Sequence, residues 1–117
     1  MVSIGGALGA SLRYLITNFI NSIFISIIPL GTLLVNVLAS FLVGFISSIM
    51  KEYFYFDEFF IKYFFIIGFL GSFSTFSAFS LETMNMINSG DSIYPILYIF
   101  FSILLNILAV FIGMKVI

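Results

Sequence analysis

Read along its 117 residues, the chain is a succession of long apolar runs separated by short polar breaks. A membrane-crossing helix needs about 20 predominantly apolar residues. The runs therefore predict four helical spans, at about residues 2–24, 30–50, 60–85 and 94–115. Within them, polar positions recur at helical spacing. Thr32, Asn36, Ser40 and Gly44 are four apart, as are Tyr98, Ser102 and Asn106. Residues four apart share a helix face, so each set forms a polar and small stripe. The first run carries Gly5/Gly9 and Gly6/Ala10, two overlapping pairs of small residues that make a close-packing face. Pro29-Leu30-Gly31 and Asn88-Ser89-Gly90-Asp91-Ser92 read as turns, and Pro95 suits a first helical turn.

The third run is built differently. Gly68 and Gly71 are followed by Ser72, Ser74, Thr75, Ser77 and Ser80, with Phe76 and Phe79 on one face and Glu82 three residues further on. Glycine and hydroxyl residues loosen helical hydrogen bonding, and the freed backbone groups need partners. At membrane depth, non-helical backbone persists only against protein or a wet cavity. The stretch reads either as an interrupted helix at an ion site or as a small-residue interface between helices. Two other polar residues are equally two-sided. Arg13 either snorkels to one interface or stands at the mouth of an aqueous vestibule. Asn36 is either glue between helices or a donor lining an ion path.

Composition narrows the class. Hydrophobic residues make up 62% of the chain and charged residues 8%, which excludes a soluble domain of this size. The expectation is an all-α integral membrane protein, a single four-span domain over 1–117. Met1 onward reads as the first span, not as a signal peptide. Cys and His are absent, which removes disulfides, thiol catalysis, a histidine base and most transition-metal sites. Glu82 is the only acid inside a span, so no nucleophile–base pair can be assembled and an enzyme is not expected. A net charge of −1 gives no basic field for nucleic acid. Lys51, Lys62 and Lys115 fall on one side of the predicted spans, and the loops at 21–29 and 86–93 hold no Lys or Arg. The positive-inside rule then puts both termini in the cytoplasm. The charges between Lys51 and Lys62, with Tyr53 and Tyr55, read as a solvated interfacial loop.

What remains after the lipid-facing residues are set aside is mostly neutral donors and aromatic rings. Hydroxyls, amide NH2 groups and ring edges all present positive character to an anion. Donors that replace water without a fixed charge to trap the ion suit a small-anion path. Four helices are too few to enclose a pore, so an oligomer is expected.

Three motifs, in order, resemble the CrcB/Fluc family of fluoride channels over essentially the whole chain. They are Gly5-Gly6 through Arg13-Tyr14, Gly31-Thr32 through Asn36, Ser40-Phe41 and Gly44, and Gly68 through Gly71, Thr75-Phe76-Ser77, Phe79 and Glu82. The resemblance implies an antiparallel dimer of four-helix subunits with two fluoride pores at the interface. It implies a structural sodium ion at the dimer centre, held by backbone carbonyls that align with Gly71 and Ser74. Phe76 and Phe79 align with the rings lining the path, with Asn36 and Thr75 beside them. Tyr98, Ser102 and Asn106 align with a polar track on the fourth span. Glu82 aligns with the acid after the phenylalanines, and Arg13 with a vestibule arginine. Three positions depart from the family pattern: Ser72 in place of the second glycine, Ser74 in place of a threonine, and Asn106 in place of a hydroxyl. The implied function is passive exit of fluoride across the plasma membrane, which protects against fluoride toxicity. The lysine bias further suggests that the chain inserts in one orientation and pairs with an oppositely oriented paralogue, as the alternative to a homodimer. Two competing readings are a small four-helix multidrug-type exporter, which needs an early in-span carboxylate, and a non-conducting membrane subunit, which predicts no ion flux.

Overall fold

The computed structural model describes residues 1–24, 28–52 and 58–116. The middle of the charged loop, with Tyr53, Tyr55 and Asp57, lies outside them. Among the described residues every element is helical. Helix α1 is Val2–Ile23 and α2 is Leu30–Glu52. Helix α3 begins as Glu58–Phe60, continues as a π-helical stretch over Ile61–Leu70 and closes with the turn Gly71–Phe73. After a break at Ser74 and Thr75 comes α4, Phe76–Asn88, and then α5, Ile93–Lys115.

Three helical stretches are long and apolar enough to cross a membrane: Leu30–Glu52, Ile61–Asn88 taken across its break, and Ile93–Lys115. Helix α1, with 22 residues, is also long enough, but Arg13, Asn18, Asn21 and its glycines dilute it, and it is not among the three. Large apolar side chains cover the outer surface, as a lipid-facing molecule requires; Ile4, Leu15, Phe19, Ile96 and Ile107 are each more than 60% exposed.

Glycines set how the helices meet. A methyl group on Gly5 would strike the Phe64 carbonyl, and one on Gly9 the Phe69 carbonyl, so α1 lies directly on the backbone of α3. Along the other pair, Gly44 of α2 meets the Val110 carbonyl and Gly113 of α5 meets that of Phe41. In lipid, burial of apolar surface gives helices no reason to associate, so van der Waals contact at such seams holds them. Between the two pairs, Val35, Ala39, Leu70 and Phe73 form the buried core, with Ile16, Leu42 and Phe69 against it. The phenylalanines of α3 stack as a ladder along it, Phe60 on Phe64 at 4.9 Å and Phe69 on Phe73 at 5.9 Å.

The turns follow the sequence signals. Asn21 Oδ1 accepts from the Gly31 N–H at 3.0 Å, so the end of α1 caps the start of α2. Helix α4 ends in a Schellman motif: Gly90, at φ 88°, donates to Ile87 O and Asp91 to Met86 O. Pro95 stands in the first turn of α5 and is fully buried.

Candidate functional site: a break in the third span and the cavity beside it

The break is two residues of extended backbone. Ser74 has φ −80° and ψ 157°, and Thr75 has φ −152° and ψ 118°. Extended residues in the middle of a helix strand the N–H and C=O groups on both sides. Side chains from α1, from α2 and from the break itself take up stranded groups. The Asn36 amide clasps Thr75 at two points: Thr75 N–H donates to Asn36 Oδ1 at 2.7 Å, and Asn36 Nδ2 donates to Thr75 O at 3.1 Å. This is how one strand residue pairs with another, performed by a side chain from α2. The Thr75 hydroxyl caps α4, accepting from Ala78 N–H at 3.1 Å. Arg13 reaches across from α1 and donates its Nε–H to Ser72 O at 3.0 Å, a cation at the negative end of α3.

Several carbonyls at the end of α3 lose their helical donors in this rearrangement, Ser72 O among them, which Arg13 takes up. In an α-helix Gly71 O accepts from Thr75 N–H, and Ser74 O from Ala78 N–H. Here those two N–H groups go to Asn36 Oδ1 and Thr75 Oγ1. Gly71 and Ser74 therefore carry two of the carbonyls that the break parts from their helical donors. Neutral oxygen donors of this kind suit hard cations.

On the α4 side of the break, a cavity of about 350 Å³ is lined by Asn36, Ser40, Ser74, Thr75, Phe76, Phe79, Ser102, Ile103, Asn106 and Ile107. None of these residues is charged. The Phe76 and Phe79 rings lie 5.5 Å apart at 41°, and Phe76 is 78% exposed. Ser40 Oγ donates to Asn106 Oδ1 at 2.8 Å, and Asn106 Nδ2 donates to Ser102 O at 2.6 Å. Ser102 Oγ is buried and is the one buried side-chain polar atom without a hydrogen-bond partner among the described residues. A buried unsatisfied hydroxyl costs about 1–3 kcal/mol. Ser102 is also one of the residues lining the cavity, and its hydroxyl has a hydrogen bond left to give.

Of the residues expected on the path, the structure brings Asn36, Thr75, Phe76, Phe79, Ser102 and Asn106 into this one cavity. Tyr98 stands apart. It has no exposed surface, its ring packs on Phe79 at 5.0 Å, and its hydroxyl donates to Glu82 Oε2 at 2.9 Å. Glu82 Oε1 accepts from Thr32 at 2.7 Å, so both carboxylate oxygens are engaged by buried hydroxyls. Ser40, Ile103 and Ile107 line the cavity without having been assigned to the path. For Ser40 the signal was present, since it follows Asn36 by one helical turn.

Over residues 1–114 the sequence matches the family described as CrcB-like protein, Camphor Resistance (CrcB). Curated relatives named fluoride-specific ion channel FluC include one from Nitratiruptor sp., 44% identical over 94% of this chain and 84% of its own. Another, from Francisella philomiragia subsp. philomiragia, is 36% identical over 97% of this chain and 88% of its own. A third, from Shewanella baltica, is 39% identical over 100% of this chain and 93% of its own.

Proposed function

The chain belongs to the CrcB-like family, and from that membership we propose that it is a fluoride-specific ion channel through which fluoride leaves the cytoplasm passively. The observation that carries this reading is the unpartnered Ser102 hydroxyl, buried in the wall of an uncharged cavity beside the Phe76 and Phe79 rings.

Fluoride is small and strongly hydrated, so a path must replace its water with close donors at each step. Ser102 offers an O–H, the rings offer positive edges, and α4 points its N-terminal end, with Thr75 and Phe76, at the same space. No lining residue carries a charge that would hold the ion in place. The engaged state of Glu82 disfavours an exporter, which needs an acid free to exchange protons with its substrate.

Sodium would fit at the break itself. The Gly71 and Ser74 carbonyls, released from helical bonding, would hold it. Bound there, it would add positive charge at the end of α3 that Arg13 already caps.

The remaining architecture follows the same reading. Helix α1 crosses the membrane as a fourth span, its Arg13 engaged at the end of α3 and not in lipid. A second, antiparallel subunit covers the exposed Phe76 and closes the cavity. The chain sits in the plasma membrane with cytoplasmic termini, and its lysine bias favours an oppositely oriented paralogue as partner.

Liposomes holding the purified chain, assayed with a fluoride electrode and with chloride as control, test the function. Selective fluoride release is the expected result. Silence from the chain alone and also from the chain co-expressed with an oppositely oriented paralogue would leave the non-conducting subunit standing instead. Cysteine accessibility at the C-terminus, when the chain is expressed alone, tests orientation: equal labelling from both sides would sink the single-orientation reading.

A further inference from the structure

Asn106 poses a problem for any anion in the cavity. A hydroxyl can turn its hydrogen toward an anion, but an amide brings a fixed carbonyl oxygen with it, which repels one. Both ends of this amide are held. Its Nδ2 donates to the Ser102 carbonyl at 2.6 Å. That carbonyl can only accept, so the reversed orientation would set oxygen against oxygen, and the amide is fixed one way round. Its Oδ1 then faces Ser40, whose hydroxyl donates to it at 2.8 Å from α2, 66 residues away in sequence. Ser40 and Asn106 both line the cavity, and neither bond involves Ser102 Oγ, which keeps its own O–H unspent.

We propose that Ser40 is a positioning residue for fluoride permeation: its hydroxyl covers the one amide oxygen that Asn106 brings to the path. The proposal rests on the fluoride-channel reading above. Ser40 acts through Asn106 and not as a ligand, because its proton is already committed. An amide NH2 carries two hydrogens, and Ser102 O uses one, so the shielded Asn106 keeps one to offer. Without Ser40, the Asn106 oxygen is a bare acceptor in the anion's way.

The test is a double-mutant cycle in fluoride efflux from liposomes. Ser40→Ala should lower flux about tenfold, because it strips the partner from a half-buried acceptor. In an Asn106→Ser background, where no amide oxygen remains, the same Ser40→Ala change should alter flux less than twofold. That rescue distinguishes positioning from a structural role, which would lower flux in both backgrounds. Equal losses in the two backgrounds, or no loss in either, overturn the proposal. Ser40→Cys, which keeps the shape and weakens the donor, is the second variant should Ser40→Ala not assemble; an intermediate loss is expected, and wild-type flux would count against the shield. Wild-type flux is the baseline: its absence removes the channel reading itself, whereas a conducting wild type with an indifferent Ser40 removes only this inference.

Discussion

Gly44 and Thr75 both sit where one helix closes on another, but different things fill the contact. At Gly44 the backbone of α5 fills it, pressed against a residue with no side chain. At Thr75 the Asn36 amide fills it, with two hydrogen bonds to an extended backbone. The first contact is dense, backbone against backbone, and tolerant of nothing larger. The second is polar and serves a segment that has given up its own helical bonds. The comparison separates what holds the helices together from what holds the break open. Packing at the glycine seams does the former, and four side chains, Asn36, Arg13, Ser74 and Thr75, do the latter.

Substitutions can set the two regions against each other. The largest effect is expected at the seam: Gly44→Val drives a branched side chain into the Val110 backbone and should abolish the folded species, since even one extra methylene in a packed core costs about 1–3 kcal/mol. Size-exclusion chromatography in detergent checks this, and a wild-type profile would mean that the helices can separate at Gly44 without loss. Next comes the clasp. Asn36→Ala removes both bonds to Thr75 and should cut fluoride flux on the order of a hundredfold, at about 1–3 kcal/mol for each backbone group left unsatisfied. Circular dichroism and assembly should stay as in the wild type, because the seams are untouched; a variant that loses helix as well as flux would erase the distinction. Phe76→Ile keeps a large apolar side chain but loses the ring edge, and flux should fall about tenfold with assembly intact. Unchanged flux in both Asn36→Ala and Phe76→Ile would put the path on another face. The smallest effect belongs to the cap. Thr75→Ala should lower stability by about 1 kcal/mol, read as a shift in the thermal unfolding midpoint, and Thr75→Ser should shift it by less.

The four-residue spacing of Thr32, Asn36, Ser40 and Gly44 made one stripe legible in the sequence, and the structure keeps them on one face of α2. It could not say that the four have four separate partners: Glu82, Thr75, Asn106 and the Val110 backbone. Periodicity reports which residues share a face, and the partners come from helices 39 to 66 residues away. The same limit explains Tyr98. Its place in a stripe with Ser102 and Asn106 is real, but whether a hydroxyl remains available depends on whether a carboxylate lies opposite, and Glu82 does. The interruption of the third span was legible because glycine and hydroxyl residues cluster there in an otherwise apolar run. Arg13 was legible as costly, but its use as a cap on Ser72 O was not, since nothing near it in sequence points to α3. The π-helical course of Ile61–Leu70 had no signal in its residues, and its phenylalanine ladder is equally compatible with an ordinary helix.

The clasp on Thr75 also has an order in time. Asn36 lies 39 residues ahead of the backbone it repairs, so it leaves the ribosome first. A break with stranded amides is poorly suited to lipid on its own. With α2 already in the bilayer, the break meets a ready partner as it arrives, and the two segments can settle as a unit. Had the amide been carried by α5, the break would have waited, unsatisfied, for a helix not yet made. The direction of translation thus favours a donor upstream of the irregular segment, and biogenesis constrains this site alongside permeation.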